Sequence, residues 1–304
     1  MGYNLALIIE DEEKLLSGDF KATFQLCADS CAKLVNLPEN CFASIYIVND
    51  AAIKNLNREH RSIDEATDVL SFPSLELTEA DFLKLNKEQK AKEWDIQQNA
   101  YFLGDIIVSF ETAQHQAKRF GHNLERELCY LLVHGIFHLL GFDHIEKRDK
   151  EIMRKNEELA LNEVMFKENE KAMIQKAWDM LEFSYVPYSN YRVCACILTK
   201  SGKMYTGNNI ENASYGLTIC AERTAVFKAV SSGDRDIIAI AIVSDGIAPW
   251  PCGACRQVLL EFAEDMHVVI AWGKDKGNRE YSTLKELLPK SFSPLLNVEK
   301  RFME

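Results

Sequence analysis

Residues 220–229 read CAERTAVFKA and residues 251–262 read PCGACRQVLLEF, and these two stretches decide the fold of the C-terminal half. Each contains a cysteine at its first or second position and continues as a helix-compatible run. Between them, IIAIAIVSD at 237–245 is typical of a buried strand. Helices that alternate with buried strands predict a mixed sheet covered by helices. We therefore expect an α/β protein whose C-terminal half is a three-layer α/β/α domain.

Three cysteines in these stretches have the spacing of metal ligands. Cys220 stands two residues before Glu222, and Cys252 and Cys255 follow in P-C-x-x-C. Three thiolates can hold zinc and leave one position for water, as in a catalytic site. Glu222 can reach that water without binding the metal, so it is predicted to be the general acid/base catalyst. Arg223 is the nearest cation in the sequence that could offset the negative charge of the thiolates. The alternatives are a structural site lacking a fourth cysteine, or three core thiols.

The C-terminal half resembles the homotetrameric cytidine deaminase family. The resemblance is carried by YVPYSNYRV at 185–193, GNNIENASYGLTICAERTAVFKA at 207–229, PCGACRQVLLEF at 251–262 and LKELLPKSFSP at 284–294. It implies zinc-dependent deamination of cytidine and deoxycytidine by a homotetramer. It also implies that Asn209 and Glu211 hold the ribose hydroxyls and that Tyr191 stacks near the base. From the residues alone, Asn209 can equally be a turn residue and Tyr191 a core aromatic. A deaminase for a modified or antibiotic nucleoside, and a zinc-stabilised oligomerisation domain, are the alternatives for the whole domain.

In the N-terminal half, a predicted helix runs into the sequence HGIFHLLGFDH. His134 and His138 stand four apart and share one helix face, and Gly141 turns the chain so that His144 can complete a trio. Three neutral imidazoles with an open position suit zinc or a related divalent ion. Gly135 stands where the peptidase motif H-E-x-x-H has its glutamate, so a peptidase would lack its base here. The alternative is that one or more of these are helix-end histidines.

The rest of the N-terminal half predicts an α+β metallohydrolase domain. LALIIE at 5–10, SIYIVND at 44–50 and YFLGDIIVSF at 101–110 have the composition of strands, and residues 19–37 have a helical pattern. Residues 75–98 are strongly charged and have no apolar stripe, so we expect a solvated, partly helical insertion there.

This half resembles the YbeY-type ribosomal-RNA maturation endoribonucleases. The shared stretches are LNREHRSIDEATDVLSFP at 56–73, YFLGDIIVS at 101–109 and LLVHGIFHLLGFDHIE at 131–146. The resemblance implies metal-dependent cleavage of single-stranded RNA, with ribosomal RNA or the ribosome as partner and Arg61 as a functional arginine. A guanidinium can grip phosphate with two hydrogen bonds. The alternatives are a surface Arg61 paired to Asp64 or Glu65, and a non-catalytic ribosome-assembly module in which the metal is structural.

The chain length and the charge support two separate domains. A chain of 304 residues is too long for one typical core, and we expect domains at 1–166 and 167–304 with one Zn²⁺ each. Residues 1–166 carry 18 Lys and Arg against 29 Asp and Glu, so the net charge of −11 lies wholly there. An acidic domain does not attract nucleic acid at long range, so RNA binding would need a local basic patch or the metal.

The nine cysteines are an odd number and are scattered over the chain. They predict a protein of the reducing cytoplasm and not a disulfide scaffold. No run approaches the about 20 apolar residues of a membrane span, so no membrane partner is expected. The cysteines outside the trio have apolar neighbours and should be small buried core residues. They are Cys27, Cys31, Cys41, Cys129, Cys194 and Cys196.

Overall fold

The computed structural model describes residues 5–16, 20–37, 40–82, 85, 87–144, 146–263 and 265–292. The chain divides into two compact units, Met1–Val164 and Met165–Glu304. The domain ranges 1–166 and 167–304 stay a prediction, and residues 293–304 of the second lie outside the described residues.

The first unit contains a five-stranded sheet in the order β1-β2-β5-β3, with β4 also paired to β5. Strands β1, β2 and β5 run parallel, whereas β3 and β4 are antiparallel to β5. The strands are β1 Leu5–Glu10, β2 Cys41–Val48, β3 Val69–Pro73, β4 Trp94–Asp95 and β5 Ala100–Ser109. The helices are α1 Lys21–Leu34, α2 Asp50–Arg61, α3 Lys87–Lys92, α4 Phe110–Phe120, α5 Leu124–Leu139 and α6 Lys147–Met180, which contains the division between the units.

The alternating side chains of β5 separate two cores. Ile106 and Val108 belong to the larger core, which includes buried residues of α1 and α5. Ile107 belongs to a smaller core with Ile53 of α2. Because successive residues of a strand point to opposite faces, α2 and α5 lie on opposite faces of the sheet.

The apolar side chains in the first part of the segment 75–98 are buried, so the expectation of a wholly solvated insertion is wrong there. Leu75, Phe82 and Leu85 are buried in the larger core. They occur in irregular chain among charged residues, and neither a helical nor a strand period reveals them. Residues 91–98 are exposed or half-buried, as expected.

This buried segment packs around the end of α5. The Ala80 amide donates to the Leu140 carbonyl at 2.8 Å. Gly141 has φ +81°, and a Cβ there would lie 2.1 Å from the Leu77 carbonyl oxygen. Only glycine fits both the left-handed backbone and this close approach. The turn predicted at Gly141 is therefore confirmed, and its conformation is restrained by the packed segment that contains Leu77 and Ala80.

The second unit contains a mixed sheet in the order β10-β9-β8-β6-β7. Strands β8 and β9 are parallel, and the other neighbours are antiparallel. The strands are β6 Cys194–Thr199, β7 Met204–Asn208, β8 Ile237–Ser244, β9 His267–Trp272 and β10 Asn278–Thr283. The helices after α6 are α7 Ala221–Ser231, α8 Gly253–Leu260 and α9 Leu284–Leu287.

Helices cover both faces of this sheet. Ile174 and Trp178 of α6 pack with Cys196 on one face. Ala225 of α7 and Leu259 of α8 pack with the residues of the other face. The predicted three-layer α/β/α arrangement is confirmed, and so is the burial of all six core cysteines.

Two candidate metal centres

The three predicted cysteine ligands meet where two helices begin. Cys220 is the N-cap of α7, Cys252 is the N-cap of α8, and Cys255 lies in the first turn of α8. Their Sγ atoms all lie within 4.8 Å of one another, and those of Cys252 and Cys255 are 3.5 Å apart. The positive ends of two helix dipoles therefore face the sulfurs, which favours the thiolate forms.

Hydrogen bonds at this cluster stabilise a thiolate. The Cys255 thiol donates to Cys220 and lowers the pKa of Cys220 to about 5, with Arg223 as a further cause, while the same bond raises the pKa of Cys255. Arg223 Nη2 lies 3.5 Å from the Cys220 Sγ and 3.2 Å from the Thr218 carbonyl oxygen. Zinc binds thiolates and displaces such protons. The donor set therefore fits zinc.

Glu222 lies beside these sulfurs in the first turn of α7 and is 5% exposed. Burial raises its pKa to about 7, and the charge of Cys220 acts in the same direction. A carboxyl with a pKa near neutral pH can both accept and return a proton. The geometry and the environment of Glu222 thus suit an acid/base residue.

The side chain of Asn209 forms hydrogen bonds to the loop that leads into β6. Its Oδ1 accepts from the Val193 amide at 3.0 Å, and its Nδ2 donates to the Tyr191 carbonyl at 2.8 Å. Both ends of the amide therefore contact backbone, as a residue that shapes a turn would do. Its expected contact with ribose stays a prediction.

Glu211 is held by the same loop and lines a cavity of about 370 Å³. Its carboxylate accepts from the amides of Tyr188 and Ser189 at 2.9 and 3.2 Å and from the Ser189 hydroxyl. These hydrogen bonds, that of the hydroxyl first, lower the pKa of Glu211. Tyr215 and Thr218 complete the lining. A cavity of this size with a carboxylate in its lining can admit a small molecule.

Tyr191 connects the loop that leads into β6 to the loop that leads to Cys252. Its hydroxyl donates to the Ile247 carbonyl at 3.2 Å, and burial raises its pKa, with a contribution from Glu222. Next to it, Arg192 forms an ion pair with Asp245. Tyr191 is therefore half-buried within electrostatic reach of Glu222, and its expected stacking on a base stays a prediction.

The three predicted histidine ligands also come together. Nitrogen atoms of His134, His138 and His144 all lie within 4.8 Å of one another, and the two Nε2 atoms of His134 and His138 are 3.1 Å apart. Burial and the other two imidazoles lower the pKa of His138 to about 4. A histidine with so low a pKa is neutral at pH 7 and can donate its lone pair. The trio fits a divalent metal ion.

Gly135 has a packing role in this helix. A Cβ on Gly135 would lie 2.7 Å from Cγ2 of Ile106, which is fully buried in β5. A side chain at this position would require the Ile106 side chain to shift, which its complete burial opposes. The glutamate of a zinc peptidase is therefore disfavoured by packing as well as absent from the sequence.

Glu157 is a residue of this site that the sequence pattern did not predict. This acid is buried on α6, and its Oε1 lies 2.7 Å from Nδ1 of His134. The available signal was its place among Met153, Ala160 and Val164, which belong to the apolar stripe of the same helix. An acid on such a stripe indicates a buried partner.

Arg61 makes no hydrogen bond or ion pair with the histidine trio in the part of the chain that the structure describes. It ends α2, on the sheet face opposite to α5, and its side chain is exposed. Asp64, its suggested partner, instead pairs with Lys54 at 3.5 Å and Arg58 at 3.6 Å. Among the described residues the guanidinium of Arg61 has no ion pair, so it is available to a ligand. A functional role for Arg61 stays a prediction.

Comparisons with known proteins match each unit separately. The family model described as endoribonuclease YbeY matches residues 7–165, and the cytidine and deoxycytidylate deaminase zinc-binding region matches residues 167–271. The endoribonuclease YbeY of Clostridium kluyveri is 48% identical over 128 residues, which are 42% of this chain and 77% of that protein. The cytidine deaminase of Halalkalibacterium halodurans is 50% identical over 123 residues, 40% of this chain and 92% of that protein. The crystal structure of the Burkholderia pseudomallei cytidine deaminase is 43% identical, with a TM-score of 0.38, and covers 40% of this chain and 98% of that one.

The two units, each with its own cluster of side chains that could hold a metal ion, and the two family matches define a two-domain enzyme. The chain belongs to the YbeY endoribonuclease family over its N-terminal half and to the cytidine deaminase family over its C-terminal half.

Proposed function

We propose that the C-terminal unit deaminates free cytidine and deoxycytidine to uridine and deoxyuridine. The observation that carries this proposal is the approach of three cysteine sulfurs within 4.8 Å beside the buried Glu222. When bound by Cys220, Cys252 and Cys255, zinc supplies a Lewis acid that makes water acidic enough to ionise near neutral pH.

The side chains around this site would then transfer protons and compensate charge. Glu222 accepts a proton at its carboxylate as water adds to C4 of the base, and it returns the proton to the departing amino nitrogen, so that ammonia leaves. Its pKa of about 7 suits both transfers. Arg223 offsets the negative charge of Cys220 throughout. Asn209 and Glu211 are proposed to contact the ribose, and Tyr191 the base.

Ammonia release from a panel of nucleosides tests this function. Cytidine and deoxycytidine should be the best substrates. Turnover of only a modified or antibiotic nucleoside would favour the first alternative, and no turnover with zinc bound would favour an oligomerisation domain.

For the N-terminal unit, we propose metal-dependent endonucleolytic cleavage of single-stranded RNA in ribosomal RNA maturation. The observation that carries it is that nitrogen atoms of His134, His138 and His144 lie within 4.8 Å of one another, at the end of a helix with Gly135 where a peptidase has its glutamate. A divalent ion held there supplies a Lewis acid for phosphate chemistry. Arg61, whose guanidinium is available, is proposed to grip the phosphate backbone.

Cleavage of single-stranded ribosomal RNA segments by the metal-loaded and the metal-stripped protein tests this proposal. Cleavage by the loaded form alone supports it. If metal removal unfolds the unit and the loaded form never cuts RNA, the ribosome-assembly module is the better description.

We further propose two Zn²⁺ per chain and a homotetramer assembled through the C-terminal units. Exposed apolar and aromatic side chains in this unit support an assembly, because large patches of this kind commonly mark protein interfaces. They include Phe183, Tyr185, Tyr188, Ile210, Tyr215 and Leu217.

A cytoplasmic location is part of the proposal. The nine cysteines are odd in number and scattered over the chain, which favours a reducing compartment over a disulfide scaffold. Within the described residues, no helix has both the length and the apolar character needed to cross a membrane.

A further inference from the structure

Glu157 is a buried carboxylate directly behind one ligand of the histidine site. It is 6% exposed, and its Oε1 lies 2.7 Å from Nδ1 of His134. A carboxylate at such depth is unfavourable unless a hydrogen bond and a positive charge compensate it. His134 supplies the hydrogen bond, and an ion on the other side of its ring would supply the charge.

The contacts at Nδ1 determine which nitrogens are ligands. The Nδ1 of His138 lies 3.1 Å from the Phe142 carbonyl oxygen, which can only accept, so this Nδ1 carries the hydrogen. The Nδ1 of His134 donates to the Glu157 carboxylate by the same argument. When both rings are neutral, their Nε2 atoms are unprotonated and face each other across 3.1 Å. Two lone pairs at that distance repel, and a shared cation removes the repulsion.

The two histidines differ in the charge of the group behind them. His138 donates to a neutral backbone carbonyl, whereas His134 donates to an anion that comes from another helix, α6. An anionic acceptor makes an imidazole a stronger ligand and holds its ring in one orientation. It also offsets part of the charge of a divalent ion bound by three neutral imidazoles.

We propose that Glu157 is a positioning residue of the histidine metal site, which fixes His134 as an Nε2 ligand and strengthens the binding of the divalent ion. This inference rests on the proposed function of the histidine trio. Groups that hold a metal ligand from behind typically contribute 10- to 100-fold in metal affinity.

The test is a zinc competition titration of the full chain carrying Glu157→Gln, with a chelator of known affinity. Glu158→Gln is the matched control, because it is the same change at the next position of α6, on an exposed side chain. Glu157→Gln should weaken the histidine site by about 10- to 100-fold. The control should bind as wild type, and deamination should be unchanged in both because the thiolate site is intact. Wild-type affinity in Glu157→Gln would overturn the inference.

A second measurement separates positioning from mere stability. Histidine ¹⁵N spectra of the metal-free protein should show the Nδ1–H form of His134 in the wild type and a mixture of forms in Glu157→Leu. If Glu157→Gln lowers the melting temperature of the metal-free protein but leaves the zinc-induced increase intact, the role is only structural and the inference fails. Unchanged metal content in His138→Ala would instead defeat the histidine site itself, and the proposed function with it.

Discussion

The Arg223 guanidinium donates to the Sγ of Cys220 across 3.5 Å, and within the described chain its buried Nε has no hydrogen-bond partner. A permanent cation therefore lies one hydrogen bond from a sulfur that must act as a thiolate. Three thiolates would otherwise outweigh the charge of Zn²⁺. When zinc is bound at the proposed deaminase site, Arg223 would offset this excess of negative charge and preserve the Lewis acidity of the ion.

Arg223→Gln removes this cation and should weaken both zinc binding and turnover. A hydrogen bond to a charged group contributes about 1.5–3 kcal/mol, so we expect a loss of about 10- to 100-fold. Zinc content after dialysis and kcat for cytidine measure the two effects. Arg235→Gln, on an exposed residue, is the control. Equal zinc content and equal kcat in both variants would contradict this role.

Glu222→Gln keeps the size of the side chain but removes the oxygen that accepts a proton. General acid/base catalysis contributes about 10²–10⁴-fold, and kcat should fall by that factor or more. Zinc content and oligomeric state should be unchanged, because the three cysteines are intact. A loss below tenfold, measured by ammonia release, would refute the role. Loss of zinc together with activity would make Glu222 a ligand or a support of the metal.

His138→Ala should remove about one metal ion per chain and abolish RNA cleavage while deamination continues, since the two trios share no ligand. Cys255→Ser should produce the reverse pattern. Metal analysis together with both activity assays on each variant checks this. An unchanged metal stoichiometry in His138→Ala would disprove the histidine site.

Arg61→Ala should keep the metal and the fold but weaken RNA cleavage by about tenfold or more, since a charged contact to phosphate is lost. Arg58→Ala is the matched control, because Arg58 lies on the same helix but pairs with Asp64 at 3.6 Å. The comparison is kcat/KM on one single-stranded RNA at fixed salt. Equal activity of Arg61→Ala and the wild type would assign Arg61 to the solvated surface.

The full chain should behave in light scattering as an assembly of four chains of 34.7 kDa each. The exposed aromatic and apolar side chains of the C-terminal unit would then be covered by neighbouring chains. A monomer at micromolar concentration would contradict the tetramer, and it would also require a nucleoside pocket complete within one chain.

Both ligand trios could be predicted from the sequence because their geometry is largely local. His134 and His138 share a helix face by the helical repeat, and Cys252 and Cys255 share one helical turn. Cys220 was predicted from the motif that also contains Glu222, although packing of α7 beside α8 brings it to the other sulfurs.

Contacts between distant segments could not be predicted in this way. Glu157 reaches His134 from a helix 23 residues further along, and the spacing within either helix does not specify that contact. The buried residues between 75 and 85 have neither a helical nor a strand periodicity. In an irregular segment, burial depends on the shape of the surface against which the segment packs. The two amide contacts of Asn209 depend on a loop whose path the sequence pattern does not determine.

The contact of Gly135 with Ile106 has a consequence for how this scaffold can evolve or be engineered. A Cβ at position 135 would lie 2.7 Å from the fully buried Ile106, so conversion of H-G-x-x-H to H-E-x-x-H by glutamate alone requires the isoleucine to shift. Such overpacking typically costs about 1–3 kcal/mol. Shortening Ile106 first would leave a cavity, which also costs stability, so either order of substitution weakens the fold before any new activity can appear.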